Sequence, residues 1–268
     1  MSGSVIHSQS AAMVPAVYSA GQSAQLPVAI DYPAALALRQ MSMVHDELPK
    51  YLLVPEVSAL LHYVPDLRRK MLLATLWNTG ARINEALALT RGDFSLAPPY
   101  PFVQLATLKQ RTEKAARPAG RVPAGQQTYR LVPLSDTWYV SQLQTMVATL
   151  KIPLERRNKR TGRTEKARIW EVTDRTVRTW IGEAVAAAAA DGVTFSVPVT
   201  PHTFRHSYAM HMLYAGIPLK VLQSLMGHKS ISSTEIYTKV FALDVAARHR
   251  VQFAMPESDA VAMLKQLS

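Results

Sequence analysis

Four short segments carry side chains that together could break a phosphodiester bond. They are Gly80-Ala-Arg82-Ile-Asn-Glu85, His202-Thr-Phe-Arg205, Gly227-His228 and Tyr237. The reaction needs a nucleophile, cations that neutralise the two non-bridging oxygens, and a proton donor for the leaving group. Arginine pairs with phosphate through two hydrogen bonds, and histidine can hydrogen-bond or transfer a proton. A tyrosine can attack phosphorus and leave again, so this chemistry requires neither ATP nor a metal ion.

Each segment is weak evidence when it is taken alone. A His-x-x-Arg pair is most often a surface pair on a helix, and Tyr237 by itself is most simply a packed aromatic residue. Three histidines, His202, His206 and His211, lie close together but lack acidic or thiol partners, which argues against a metal site. The sequence has no cysteine, so thiolate ligands and cysteine nucleophiles are excluded.

Positive charge is concentrated in two segments. The formal net charge is +11; residues 109–130 hold six Lys or Arg against one acidic residue, and residues 151–168 hold eight against two. Such concentration favours a polyanion, most simply nucleic acid, although two solvated mobile loops would look the same. The predicted DNA-binding residues are Arg111, Lys114, Arg175 and Arg178.

The elements that must position these residues are mainly helices. Capping residues and apolar spacing predict helices over 66–77, 82–89, 137–150, 174–190, 202–214 and 219–226, one through Tyr237, and a terminal one over 260–267. Short strands are predicted over 102–108 and 128–133, joined by a long basic hairpin loop, and residues 151–168 are predicted as a second loop. The expected fold is mainly α with a small antiparallel β-sheet.

The first 46 residues differ in composition from the rest. They are rich in Ser, Gln, Ala, Val and Pro, with one weak helical patch near residues 34–44, and they predict a weakly ordered tail. Residues 47–268 form the predicted catalytic domain. No segment has the length and apolarity of a membrane span or the pattern of a signal peptide, so the expected location is cytoplasmic.

In order and spacing, the four segments resemble the tyrosine recombinase (phage integrase) family, in particular its Xer-like branch. Residues 78–89, 201–213 and 219–239 resemble the first, second and last boxes of that family. The spacings of 23 residues from Arg205 to His228 and 9 from His228 to Tyr237 are those expected of the branch. The resemblance covers residues 48–240 and implies the fold of DNA breaking-rejoining enzymes.

The resemblance also implies a role for each site residue. Arg82 and Arg205 would clamp the scissile phosphate, while His202 and His228 would hydrogen-bond to it. Tyr237 would pass its proton to His202 and form a 3′-phosphotyrosine, leaving a free 5′-hydroxyl. Further roles are implied for Lys109 as the general acid, with Lys114 as the alternative, and for Glu85 as a supporting acid, for which an ordinary first-turn glutamate is the alternative.

The implied reaction is site-specific recombination without a cofactor or a metal, serving plasmid multimer resolution or a related inversion or integration. The implied partners are double-stranded DNA at a specific site and three further copies of the chain, assembled as a homotetramer through the C-terminal tail. Residues 1–46 show no pattern of the family's N-terminal core-binding domain, so accessory DNA-bending proteins are also expected. The alternatives are a type IB topoisomerase-like enzyme, a catalytically silent DNA-binding regulator, and a metal-dependent nuclease.

Overall fold

The computed structural model describes residues 35–37, 39–40, 49–107, 129–158, 160–228, 230–249 and 255–267. The chain divides into two compact units, Met1–Ile30 and Asp31–Ser268, and every described residue lies in the second. Residues 35–37 and 39–40 are helical, and Arg39 is buried, where it contacts Glu56. The rest of the predicted tail and the predicted basic hairpin loop lie outside the described residues, and so do Lys109, Arg111 and Lys114 within that predicted loop.

Helices dominate the described part of the chain, and short strands complete it. In chain order the helices are α1 (Val54–His62), α2 (Leu67–Thr79), α3 (Ile83–Leu87), α4 (Thr137–Thr149), α5 (Asp174–Ala190), α6 (Pro201–Tyr214), α7 (Leu219–Met226), α8 (Ser232–His249) and α9 (Glu257–Leu267). The strands are β1 (Phe94–Ser95), β2 (Phe102–Ala106), β3 (Tyr129–Pro133), β4 (Glu155–Arg157) and β5 (Thr164–Lys166). The prediction of a mainly α fold with a small antiparallel sheet is confirmed.

Local capping chemistry sets the ends of the helices that surround the site. The carboxylate of Asp66 accepts a hydrogen bond from the Arg69 backbone amide at 2.8 Å and so begins α2. Gly80 ends α2 in the left-handed conformation, with φ at 59°, and Gly227 ends α7 in the same way, with φ at 63°. Thr200 caps α6 and Pro201 occupies its first position.

Strands β1, β2 and β3 form an antiparallel sheet in that order. Val103 of β2 pairs with Val132 of β3, and Leu105 pairs with Arg130. All four side chains are buried, whereas Tyr129 and its alternate neighbours on β3 face solvent. Because side chains alternate between the two faces of a strand, Arg130 is directed toward the core by the same register that buries Val132.

The prediction of a loop over residues 151–168 is wrong, because β4 and β5 form an antiparallel hairpin within it. The turn is built by Asn158, whose side-chain oxygen accepts hydrogen bonds from the backbone amides of Arg160 and Thr161. Across the strands, Arg156 lies opposite Glu165 and is bonded to it at 2.8 Å. Charged cross-strand pairs hold this hairpin, so the apolar alternation that signals a strand is absent.

The core is built around α2, whose residues from Met71 to Leu76 are all buried. This helix packs against α4 and α6, and α6 packs in turn against α7 and α8. The C-terminal end of α2 and the N-terminal half of α6 therefore meet beside α7 and α8. No described helix is long and apolar enough to cross a membrane.

Candidate active site

Arg205 lies at the centre of this meeting point and is only 4% exposed. Its guanidinium donates hydrogen bonds to the backbone carbonyls of Gly80 at 2.5 Å and Met226 at 2.7 Å. It thereby joins α6 to the ends of α2 and α7. Burial, together with the positive charge of Arg82, lowers the pKa of Arg205 to about 10, so the group remains cationic at neutral pH.

Gly80 is required by two features of its position. Its φ of 59° lies in the left-handed region, and a Cβ atom placed on it would come 2.4 Å from the ring of Tyr208. Because glycine has no Cβ atom, the chain can turn here beside the Tyr208 ring and still present the Gly80 carbonyl to Arg205. Gly227 has a similar role, since its Cβ would lie 3.0 Å from the Arg130 guanidinium.

Glu85 anchors a second arginine, Arg82. The Glu85 side chain is buried and accepts hydrogen bonds from the Arg82 backbone amide at 2.9 Å and from the Arg82 guanidinium at 3.0 Å. Burial opposes the charge of Glu85, but Arg130 and then Arg82 outweigh it and lower the pKa of the carboxyl. The side chain of Arg82 remains 35% exposed. The buried Glu85 carboxylate thus holds a guanidinium that is open to solvent.

Arg130 also belongs to this site, although the sequence pattern indicated only a cation of the basic segment 109–130. It is 8% exposed, bonds to Glu85 at 2.6 and 3.2 Å, and donates from Nε to the Leu225 carbonyl at 2.8 Å. Its charge is therefore used inside the protein. The sequence does contain a signal for this burial. Side chains alternate between the two faces of a strand, so Arg130 lies on the same face as the apolar Val132.

His202 stands in the first turn of α6 and is exposed. Desolvation of the ring by its neighbours, together with the charges of Arg205, Arg82 and Arg178, lowers the pKa of His202, so the imidazole is neutral at neutral pH. The influence of three arginines means that His202 lies in a positive field, where an anion would be attracted.

His228 follows the turn at Gly227 and is half-buried. Its Nδ1 lies 2.8 Å from the hydroxyl of the fully buried Thr234, which fixes the ring. Burial and then Arg205 lower its pKa to about 4, so it too is a neutral imidazole at neutral pH. A neutral ring with one nitrogen held by Thr234 can present the other to a ligand.

Tyr237 lies in the second turn of α8 and is only 2% exposed. Burial raises the pKa of its phenol to about 12, while Arg205 and Arg82 act in the opposite direction. Its hydroxyl lies 3.0 Å from Nδ1 of His206. Among the described residues, the hydrogen bond of Tyr237 is thus with His206, whereas the sequence analysis expected His202 to take its proton.

His206 was missed as a site residue because it was considered only as a metal ligand. It lies one helical turn after His202, on the side of α6 that packs against α8. The signal in the sequence was the i, i+4 spacing of two histidines that flank Arg205. Among the described residues, no group of three His, Asp or Glu side chains could hold a metal ion.

The structure brings together Arg82, Glu85, His202, Arg205, His228 and Tyr237 of the predicted site. Arg175 and Arg178 are exposed on α5, and Arg178 also forms an ion pair with Asp174 at 3.0 Å. Two guanidinium groups, neutral imidazoles and a phenol in one place can bind a phosphodiester and supply a nucleophile to it.

Comparison with known proteins gives consistent matches. The model of the phage integrase family matches residues 50–243. A resolvase of Escherichia coli (strain K12) is 95% identical over 268 residues, which is the whole length of both chains. A probable site-specific recombinase in the afa region of Escherichia coli is 45% identical over 95% of this chain and 97% of its own. Tyrosine recombinase XerD of Mycobacterium leprae (strain TN) is 35% identical over 72% of this chain and 57% of its own.

The fold matches solved structures as well. The XerH site-specific recombinase, bound to a palindromic difH substrate in a post-cleavage complex, superposes with a TM-score of 0.53. The match has 20% sequence identity and covers 76% of this chain and 53% of the other.

Proposed function

This chain belongs to the phage integrase family and is a tyrosine site-specific recombinase, and from that premise we propose that Tyr237 is the nucleophile with which it cuts and rejoins DNA. The observation that carries the assignment is the position of the Tyr237 phenol, close enough to Arg205 and Arg82 for both charges to act on it. A tyrosine in an ordinary apolar core would not have two arginine charges acting on its phenol.

Arg82 and Arg205 bind the two non-bridging oxygens of the scissile phosphate. Arg205 has its geometry fixed by two carbonyl groups, and Arg82 by the Glu85 carboxylate. Preorganised cations stabilise the charge that develops at phosphorus without having to rearrange during the reaction. Glu85 and Arg130 are positioning residues in this scheme, because they act through Arg82.

Cleavage is an in-line exchange of one ester for another. The Tyr237 oxygen forms a bond to phosphorus, the bond to the 5′ oxygen breaks, and the phenol proton passes to a histidine, for which His202 is the expected acceptor. Lys109 protonates the departing 5′ oxygen, and His228 hydrogen-bonds to the phosphate. The product is a 3′-phosphotyrosine and a 5′-hydroxyl; attack by a 5′-hydroxyl from a second site reverses these steps and joins the strands.

Double-stranded DNA at a specific site is held by cations outside the catalytic cluster. These are Arg175 and Arg178 on α5, Arg111 and Lys114 in the segment between β2 and β3, and the exposed arginines of the β4–β5 hairpin. Their chemistry suits the phosphate backbone, which supplies affinity but little sequence information.

The recombining unit is a homotetramer on DNA, assembled through the C-terminal tail. The described side chains of α9 support this arrangement, since Met263 is 58% and Leu264 is 68% exposed in the single chain. Residues 47–268 act as the catalytic domain and residues 1–46 as a tail that does not itself encircle DNA, so accessory DNA-bending proteins complete the complex. The biological reaction is plasmid multimer resolution, in keeping with the name of the 95% identical relative.

The test is covalent capture on a nicked DNA duplex, in which the cleaved fragment is lost and rejoining is prevented. The site can be selected from random duplexes by binding. Tyr237→Phe should bind this DNA but yield no protein–DNA adduct, because only the hydroxyl is removed. Tyr214→Phe is the matched control, a buried tyrosine whose hydroxyl contacts Tyr51 at 3.1 Å, and it should be captured normally. An adduct that persists in Tyr237→Phe would refute the assignment.

A further inference from the structure

We propose that His206 is a positioning residue for the nucleophile, because its Nδ1 holds the Tyr237 hydroxyl in place beside the two arginines that bind phosphate. The inference rests on the proposed role of Tyr237. It adds a residue to which the sequence pattern gave no role, and it assigns that residue to the tyrosine and not to the phosphate.

The geometry supports a direct contact between two ordered side chains. Tyr237 Oη and His206 Nδ1 are 3.0 Å apart, within normal hydrogen-bonding distance, and the two ring centroids are 5.6 Å apart. The residues come from α8 and α6, which pack against each other. The His206 ring also meets the His202 ring edge-on, with centroids 5.4 Å apart. His206 therefore contacts both the exposed histidine and the buried tyrosine.

The protonation states determine what this contact can do. Burial and then His202 and Arg205 lower the pKa of His206 to about 4, so its ring is neutral at neutral pH. With its proton on Nε2, the ring can accept a hydrogen bond from the phenol at Nδ1. Because burial raises the pKa of Tyr237 to about 12, the proton remains on the phenol in the resting enzyme. In the resting enzyme, His206 thus accepts a hydrogen bond from the protonated phenol and orients the hydroxyl.

Orientation matters because the phenol has rotational freedom that the backbone of α8 does not remove. A displacement of about 1 Å at a reacting atom can slow a reaction by on the order of 100-fold. Arg205 precedes His206 directly in α6, so one short stretch of helix fixes both a phosphate ligand and the nucleophile.

The experiment compares three substitutions at position 206 in single-turnover covalent capture on the nicked duplex. His206→Leu removes the acceptor. His206→Asn places an amide oxygen near the position of Nδ1, whereas His206→Gln carries its amide further out, near Nε2. His211→Leu is the matched control, since His211 is a partly buried histidine of the same helix that faces Trp77, with ring centroids 5.1 Å apart. Half-site binding and thermal unfolding are measured for every variant.

We expect His206→Leu to slow capture by about 10- to 100-fold with unchanged half-site binding. His206→Asn should recover most of the rate, His206→Gln should not, and His211→Leu should match the wild type. Capture by His206→Leu at the wild-type rate would overturn the inference, as would equal slowing by His206→Leu and His211→Leu. If His206→Leu does not fold, the Asn and Gln variants decide, and equal rates for those two would count against positioning. Absence of any adduct with wild-type protein would instead refute the nucleophile proposal itself.

Discussion

At the scale of single residues, Arg130 connects parts of the protein that are distant in sequence. Its guanidinium joins strand β3 to the Glu85 carboxylate and to the Leu225 carbonyl near the end of α7. The same Glu85 carboxylate holds Arg82. Removing one member of a buried charged group leaves its partners without compensation, which costs more than the loss of a surface ion pair.

Arg130→Lys should therefore destabilise the protein even though the charge is kept. Lysine cannot make two parallel bonds to Glu85 together with a third bond to Leu225, so the free energy of unfolding should fall by about 2 kcal/mol. Chemical denaturation measures this change, and Arg160→Lys on the exposed hairpin is the control that should show none. Weaker DNA binding by Arg130→Lys without any loss of stability would instead indicate a direct DNA contact.

Lys109 can be tested by chemistry that removes the need for a general acid. Lys109→Ala should cleave normal DNA slowly but should approach the wild-type rate on a substrate with sulfur at the 5′ bridging position, because a thiolate leaves without a proton. The readout is the rate of covalent capture on the two substrates. Lys114→Ala is the control, and rescue of that variant alone would make Lys114 the acid.

The residues proposed as nucleophile and phosphate ligands could be identified from the sequence, whereas Arg130 and His206, which contact residues of the proposed site, could not. Arg82, Arg205, His228 and Tyr237 stand in segments whose order and spacing are distinctive. Arg130 has its partner Glu85 on another element, and the pairing depends on a strand register that composition does not reveal. His206 had the right spacing from His202, but its contact with α8 arises only from helix packing.

At the scale of elements, the β4–β5 hairpin changes the meaning of the second basic segment. A loop would present its cations in many arrangements, whereas the hairpin holds Arg157, Arg160 and Arg163 exposed on one ordered turn. Arg156 differs from these three because it is tied to Glu165 and Glu171. Arginine thus stabilises the hairpin at position 156 and supplies exposed positive charge at the other three positions.

Replacing Arg157, Arg160 and Arg163 together by Gln should weaken DNA binding and reduce its dependence on salt. Each contact with phosphate releases about one counterion, so the slope of log affinity against log salt should become shallower by up to about 3. Binding measured at several salt concentrations gives this slope. Arg69→Gln is the control, since Arg69 is an exposed arginine on α2 that pairs with Glu183, and this change should leave the slope unchanged. An unchanged slope in the triple variant would mean that the hairpin does not contact DNA.

Helix limits followed closely from the sequence where a capping residue was present. The helix predicted over 66–77 is α2, which begins at its cap Asp66 and continues two residues further, to Thr79. The spans predicted over 174–190 and 219–226 agree with Asp174–Ala190 and Leu219–Met226. The helix predicted only through Tyr237 continues to His249, because no breaking residue follows it. The β4–β5 hairpin was missed since its strands are charged, and its stability comes from ion pairs and an asparagine turn.

At the scale of the whole molecule, α9 presents apolar side chains to solvent in the single chain. Met263 and Leu264 of this helix are 58% and 68% exposed, and Met255, which precedes the helix, is 53% exposed. Exposed apolar residues on one terminal helix fit the proposed docking on a neighbouring copy, where they would be removed from water.

Deleting the chain from Pro256 onward should separate binding from recombination. The truncated protein should bind a single half-site as the full chain does, since the cations proposed to contact DNA lie elsewhere, but it should not recombine two sites. Gel-shift assays and a two-site recombination assay measure the two properties. Normal recombination by the truncated protein would show that assembly does not depend on this tail.

The way in which Arg205 is held affects how freely this sequence can change over time. Its two partners are the backbone carbonyls of Gly80 and Met226, and a carbonyl is present whatever side chain occupies a position. Substitution at Met226 leaves the acceptor in place as long as α7 keeps its course. The positions that cannot change freely are instead Gly80 and Gly227. The backbone is left-handed at both, and a Cβ atom would come close to Tyr208 or to Arg130. Related sequences can therefore replace most of the residues around Arg205 and still hold its guanidinium in the same position, provided that these two glycines are kept.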